Sequence, residues 1–134
     1  MFQSPRFRFS VLLTYWVIGF VVTHVPLPAT GEVAIPNLDK LAHFCLYAGL
    51  SFFVCFWLSS HHRMPAALYR TILLCLLYAI ADEGLQMLVP SRHASLMDWL
   101  ADALGSLFGA FLFRAISIFA GRKPAPEQRD TPTH

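Results

Sequence analysis

Of the chain's 134 residues, 56% are hydrophobic and 13% are charged, with a mean hydropathy of +0.53; a soluble domain of this length cannot bury so much apolar surface, which excludes an ordinary water-soluble fold. The length accommodates about four membrane-spanning helices of roughly 17–25 residues and leaves little room for a separate soluble domain. The formal charge of +2 is scattered over short segments rather than drawn into a stripe, so it points to no nucleic-acid partner and leaves the lipid bilayer as the chain's environment.

Four apolar stretches cover residues 10–25, 41–58, 66–89 and 99–120, each bounded by charge, Pro or Gly. They predict an all-α, four-helix transmembrane bundle over residues 1–122, with a polar, Pro-containing flexible tail over residues 123–134. The first stretch follows Arg6 and Arg8 and has the flank and length of a secretory signal. Pro26, Leu27 and Pro28 stand where cleavage requires small residues, so it reads as a retained anchor. His24 is a minor candidate for a polar cluster at that end, although an interfacial histidine beside prolines needs no role.

The second stretch is preceded by Asp39 and Lys40 and contains His43 and Tyr47. Asp39, His43 and Tyr47 recur every fourth residue and share one slowly drifting helical face, with Lys40 beside it. Capping explains Asp39, snorkelling explains Lys40, and an interfacial aromatic belt explains Tyr47. His43 lies about one turn inside the membrane, where an imidazole needs a hydrogen-bond partner or a water-lined cavity, and is therefore a candidate site residue.

Late in the third stretch come Asp82, Glu83 and Gln86, too far from the boundary for a capping role. Adjacent carboxylates at the outgoing end of a helix face the negative end of its dipole, and they require cations, a metal or protons. Gln86 is four residues from Asp82 and three from Glu83, placed to bridge the two acids or a common ligand. Arg92 follows, in the loop before the fourth stretch; its planar fork suits a carboxylate or a phosphate, so it either pins the loop to an acid or reads an anionic group.

Asp98, Asp102, Gly105 and Gly109 follow at intervals of four, three and four residues on one side of the fourth helix. The glycines form a small-xxx-small pattern. With that face against a neighbour, the acids above it turn into the bundle, toward His43 and Glu83. Asp98 also suits an N-cap, whereas Asp102 lies a turn deeper. Cys45, Cys55 and Cys75 lack the paired spacing of a redox or zinc motif and read as small apolar residues.

Orientation follows from the basic residues. Arg6, Arg8, Arg63, Arg70, Arg114, Arg122, Lys123 and Arg129 fall on the N-terminal side of the membrane, against Lys40 and Arg92 on the other. Both termini are therefore expected in the cytoplasm, with the acid-rich end facing outward.

Three blocks in this order resemble the VanZ-like family of small bacterial membrane proteins: Asp39-Lys40-Leu41-Ala42-His43-Phe44 with Tyr47; Asp82-Glu83 with Gln86, Pro90 and Arg92; and Asp98 with Ala101-Asp102, Gly105 and Gly109. The resemblance covers residues 39–110, and Asp102 stands where the family often has Asn. It implies a multi-pass protein of the bacterial plasma membrane. The family's namesake is associated with low-level resistance to the glycopeptide teicoplanin, so a cell-envelope role is what the resemblance suggests.

Three functions fit these residues. In the first, a binding protein takes a lipid-linked or anionic envelope ligand, with Arg92, Lys40 and His43 on the anionic group and the acids orienting them. In the second, an enzyme acts on such a headgroup, with His43 or Glu83 as acid or base, Asp82, Asp98 and Asp102 as orienting groups or metal ligands, and Arg92 stabilising developing charge. The third is proton- or ion-coupled transport, for which acids near one end give no complete path in a monomer, so a homo-oligomer would be needed. Oxygen-rich ligands with one imidazole suit a hard or borderline divalent ion, but no HExxH-like spacing is present, and the sequence assigns neither metal nor cofactor.

Overall fold

The computed structural model describes residues 4–24, 38–88 and 95–121. They form α1 (Pro5–His24), α2 (Leu38–Leu58), α3 (Met64–Gln86) and α4 (Leu96–Gly121), with no strand among the described residues. All four helices are long and apolar enough to cross a membrane, at 20 to 26 residues each. In hydrocarbon the backbone must satisfy its own hydrogen bonds, which selects helices for such stretches. The helices begin two to five residues before the apolar runs that predict them, because apolarity marks the part in lipid and not the helix ends. Pro65 in the first turn of α3 and the polar residues Arg6, Arg8, Asp39 and Asp98 are all helical. Loop 25–37, Arg92 and the predicted tail over residues 123–134 lie outside the described residues.

A tight connection joins α2 to α3, closed by hydrogen bonds from Ser59 N–H to the Cys55 carbonyl at 2.9 Å and from His62 N–H to the Leu58 carbonyl at 2.9 Å. Its brevity makes these helices antiparallel neighbours. The closest interface lies between α2 and α4. A Cβ on Gly105 would overlap the Phe44 carbonyl, and one on Gly109 would overlap the Ala48 carbonyl, so only glycine lets these two backbones meet. Ser51 Oγ adds a hydrogen bond across this seam to the Ser106 carbonyl at 2.6 Å.

The core is split along the bundle. Tyr47, Leu50, Cys75 and Ala79 form one buried cluster; Cys55, Leu58, Ala67 and Phe113 form the other, with Phe52 packed edge-on against Phe113 at 5.3 Å. Of the cysteines, Cys55 and Cys75 are buried and Cys45 is exposed, all as free thiols. Ile18, Leu77, Phe111 and Phe119 are more than half exposed, an apolar exterior suited to lipid.

Helix α1 is peripheral, and Thr23 is its single buried residue. It is fixed at its start by Arg8, whose guanidinium donates to the Phe56 carbonyl at 3.0 Å and to Ser59 Oγ at 3.1 Å and stands 4.5 Å over the Phe56 ring. At mid-height Tyr15 donates to the Leu46 carbonyl at 3.0 Å, its phenol occupying the space that a side chain on Gly49 would fill.

Candidate functional site

The C-terminal ends of α1 and α3 and the N-terminal ends of α2 and α4 meet at one end of the bundle. The glycine seam sets the geometry there. Because Gly105 and Gly109 hold α4 against α2, Asp102, three residues before Gly105, faces His43, one residue before Phe44. His43 Nδ1–H donates to Asp102 Oδ1 at 2.9 Å, with side chains 3% and 0% exposed; this is the tautomer that a carboxylate acceptor requires. A turn nearer the boundary, Lys40 Nζ stands 3.4 Å from Asp98 Oδ1.

Asp82 is held from its own helix. Tyr78 donates to its Oδ1 at 3.1 Å and Gln86 Nε2 to its Oδ2 at 2.9 Å, which places 78, 82 and 86 on one face by i,i+4 spacing. Glu83 turns toward α4 instead: its Oε2 accepts the Ser95 N–H at 2.9 Å. Ser95 Oγ in turn accepts the Asp98 N–H at 3.4 Å, so Ser95 occupies the capping position for which Asp98 was a candidate, while Asp98 lies within the first turn. Among the described residues Gln86 serves Asp82 and does not bridge it to Glu83.

The structure therefore brings His43, Tyr47, Asp82, Glu83, Gln86, Asp98 and Asp102 together as buried groups, with Lys40 partly exposed and Asp39 exposed at the rim. Arg92 lies outside the described residues. Tyr78 and Ser95 join without having been singled out from sequence, and His24, a minor candidate there, stands beside Asp82. Tyr78 had a readable signal, four residues before Asp82. His24 Nε2 reaches to 4.0 Å from Asp82 Oδ1, while its Nδ1 bonds the Phe20 carbonyl at 2.9 Å and its ring stacks on Phe20 at 4.0 Å. That proximity depends on how α1 packs.

Several polar atoms of this cluster are buried without a hydrogen-bond partner among the described residues: Tyr47 Oη, Glu83 Oε1, Asp98 Oδ1, Asp102 Oδ2, His24 Nε2 and Trp99 Nε1. The Tyr47 hydroxyl lies in the electrostatic neighbourhood of Asp82 and Asp102. A ring nitrogen of His43 and one carboxylate oxygen each from Glu83 and Asp102 fall within 4.8 Å of one another; an equivalent trio is formed by Asp39, His43 and Asp98.

Below Asp82, between α1, α2 and α3, is a small cavity of about 20 Å³ bordered by Thr23, Tyr47, Leu50, Tyr78 and Trp16, enough for one water. Trp16, Leu50 and Tyr78 also line a larger apolar cleft of about 310 Å³. That cleft runs between α1 and α3 along Leu12, Leu13, Val54 and Leu74. The small cavity, mostly apolar with Asp82 at its edge, and the apolar cleft thus lie side by side along α1.

A family profile described as VanZ/LLP1 matches residues 3–119, a span that takes in all four helices. No curated protein and no solved structure matches the chain.

Proposed function

We propose that this chain, which belongs to the VanZ/LLP1 family, is a multi-pass protein of the bacterial plasma membrane that binds a lipid-linked cell-envelope ligand at the polar end of its bundle. The observation carrying this reading is that the cavity under Asp82 and the apolar cleft between α1 and α3 share Trp16, Leu50 and Tyr78 as walls. A molecule with a polar head and a long apolar tail suits that pairing: the tail stays in lipid and enters sideways along the cleft, while the head is directed at Asp82, with α1 giving way because the cavity itself holds one water. Lys40, with a side chain 41% exposed, and Arg92 meet an anionic group on the head. In this reading both termini are cytoplasmic, because Arg6, Arg8, Arg63 and Arg70 lie at the opposite end, and the site faces outward. Holding a lipid-linked wall precursor there would alter the access of glycopeptides such as teicoplanin.

The test is lipid mass spectrometry on the full chain purified in mild detergent, beside Leu13→Trp and Leu74→Trp. Both leucines line the cleft and are exposed, at 45% for Leu13 and 49% for Leu74, so the larger side chains block the slot without entering the core. A long-chain envelope lipid retained by the wild type and lost from both variants is the expected result. Equal retention by all three would refute the binding reading.

The His43–Asp102 pair supports a second reading, an acid–base enzyme. A buried imidazole fixed by a carboxylate on one nitrogen has the other free to take a proton from a bound headgroup. This reading expects His43→Gln to keep the copurifying lipid but leave it unconverted.

A further inference from the structure

We propose that a first-row divalent metal ion, Zn²⁺ or Mn²⁺, binds among His43, Glu83 and Asp102. Charge requires a cation here. Asp82, Glu83, Asp98 and Asp102 are all at least nine-tenths buried, and the described basic side chains facing them are Lys40, His43 and His24. With His43 neutral, as a metal ligand must be, Lys40 offsets one of the four carboxylates, and a divalent ion neutralises two more in this low-dielectric setting.

Geometry selects the inner trio. Its three donors lie within 4.8 Å of one another, a span that metal bonds of about 2.0–2.2 Å close with modest side-chain rotation. Glu83 Oε1 and Asp102 Oδ2 are buried with lone pairs that no described group satisfies, and the Tyr47 hydroxyl lies near Asp102 and Asp82. Orphaned acceptors of this kind call for an ion, a proton donor or a water. The outer trio differs: Asp39 is exposed and Asp98 already faces Lys40.

The donor set selects the metal. One imidazole with two carboxylates suits Zn²⁺ or Mn²⁺; Ca²⁺ takes six to eight oxygens, and softer ions take sulfur. Three protein donors leave coordination positions open, where a phosphate or another oxyanion can attach. This inference stands without the lipid reading, because metal content is measured with no lipid added.

The experiment uses the full chain in detergent, stripped with a chelator and titrated separately with ZnCl₂, MnCl₂ and MgCl₂ while bound metal and the unfolding midpoint are followed. The wild type is expected to take up one Zn²⁺ or Mn²⁺ per chain in preference to Mg²⁺, and to melt several degrees higher at about 100-fold excess over Kd. Glu83→Gln should weaken binding by about tenfold or more, while Asp39→Asn leaves it unchanged. If Glu83→Gln does not melt cooperatively, Asp102→Asn carries the same expected loss, since the amide preserves shape and a hydrogen bond to His43. A wild type that takes up no stoichiometric ion overturns the proposal, as does a folded Glu83→Gln protein with wild-type affinity or a loss confined to Asp39→Asn.

Discussion

Replacing Gly109 with alanine adds one methyl group, and the structure gives it nowhere to go. The new Cβ would overlap the Ala48 carbonyl and crowd its Cα at 3.0 Å; these are backbone atoms of a helix and no rotamer change removes them. The whole of α2 must back away from α4. Overpacking of this kind costs about 1–3 kcal/mol, and opening a packed seam by about 0.5–1 Å forfeits a quarter to a half of each contact across it. Against that stands a helix-propensity gain of about 0.5–1 kcal/mol for alanine over glycine, so the net effect is a loss of up to about 2.5 kcal/mol. The cost also reaches the polar end, because the same seam sets the 2.9 Å bond between His43 and Asp102. Gly84 provides the control. A Cβ there meets nothing within 4 Å, so Gly84→Ala keeps the propensity gain with no clash. Thermal unfolding of the detergent-solubilised chain should place Gly109→Ala below the wild type and Gly84→Ala at or above it. Coincident midpoints for the two variants would refute the claim that backbone contact across α2 and α4 holds the bundle together.

Two further outcomes follow. His43→Phe leaves the Asp102 carboxylate buried without its partner and should cost about 3–5 kcal/mol; His43→Phe combined with Asp102→Leu should regain much of this in a double-mutant cycle of chemical unfolding, and strictly additive losses would mean that the two side chains are not coupled. For orientation, a single cysteine at Asp39 in a Cys-free background should react with a membrane-impermeant maleimide in intact cells, whereas one at His61 should react only after permeabilisation. The reverse pattern would put the polar end in the cytoplasm.

What could be read from the sequence was whatever lies on one helix. The spacing of Asp82 and Gln86 placed them on a common face, and the glycines at 105 and 109 marked a close-packing surface, because helical periodicity converts sequence distance directly into position. Relations between helices were less legible. His43 and Asp102 are 59 positions apart, and only the orienting effect of the glycine face suggested that they meet. The partner of Glu83 was out of reach, since a backbone N–H at Ser95 has no side-chain signature, and Gln86 looked equally able to serve either acid. Proximity of His24 to Asp82 depends on the tilt and depth of α1, which hydropathy does not encode.

The unequal attachment of α1 has a mechanical consequence. Arg8 clamps its first turn to the end of α2 through two hydrogen bonds and a ring face, and Tyr15 adds a pin halfway along; beyond that, the link from His24 to Asp82 spans 4.0 Å. A rod pinned at its foot and middle would give most at the far tip, where Thr23 is its one buried side chain. Lateral swing of α1 therefore widens the slit first beside the carboxylates, so the door and the lock are at the same edge.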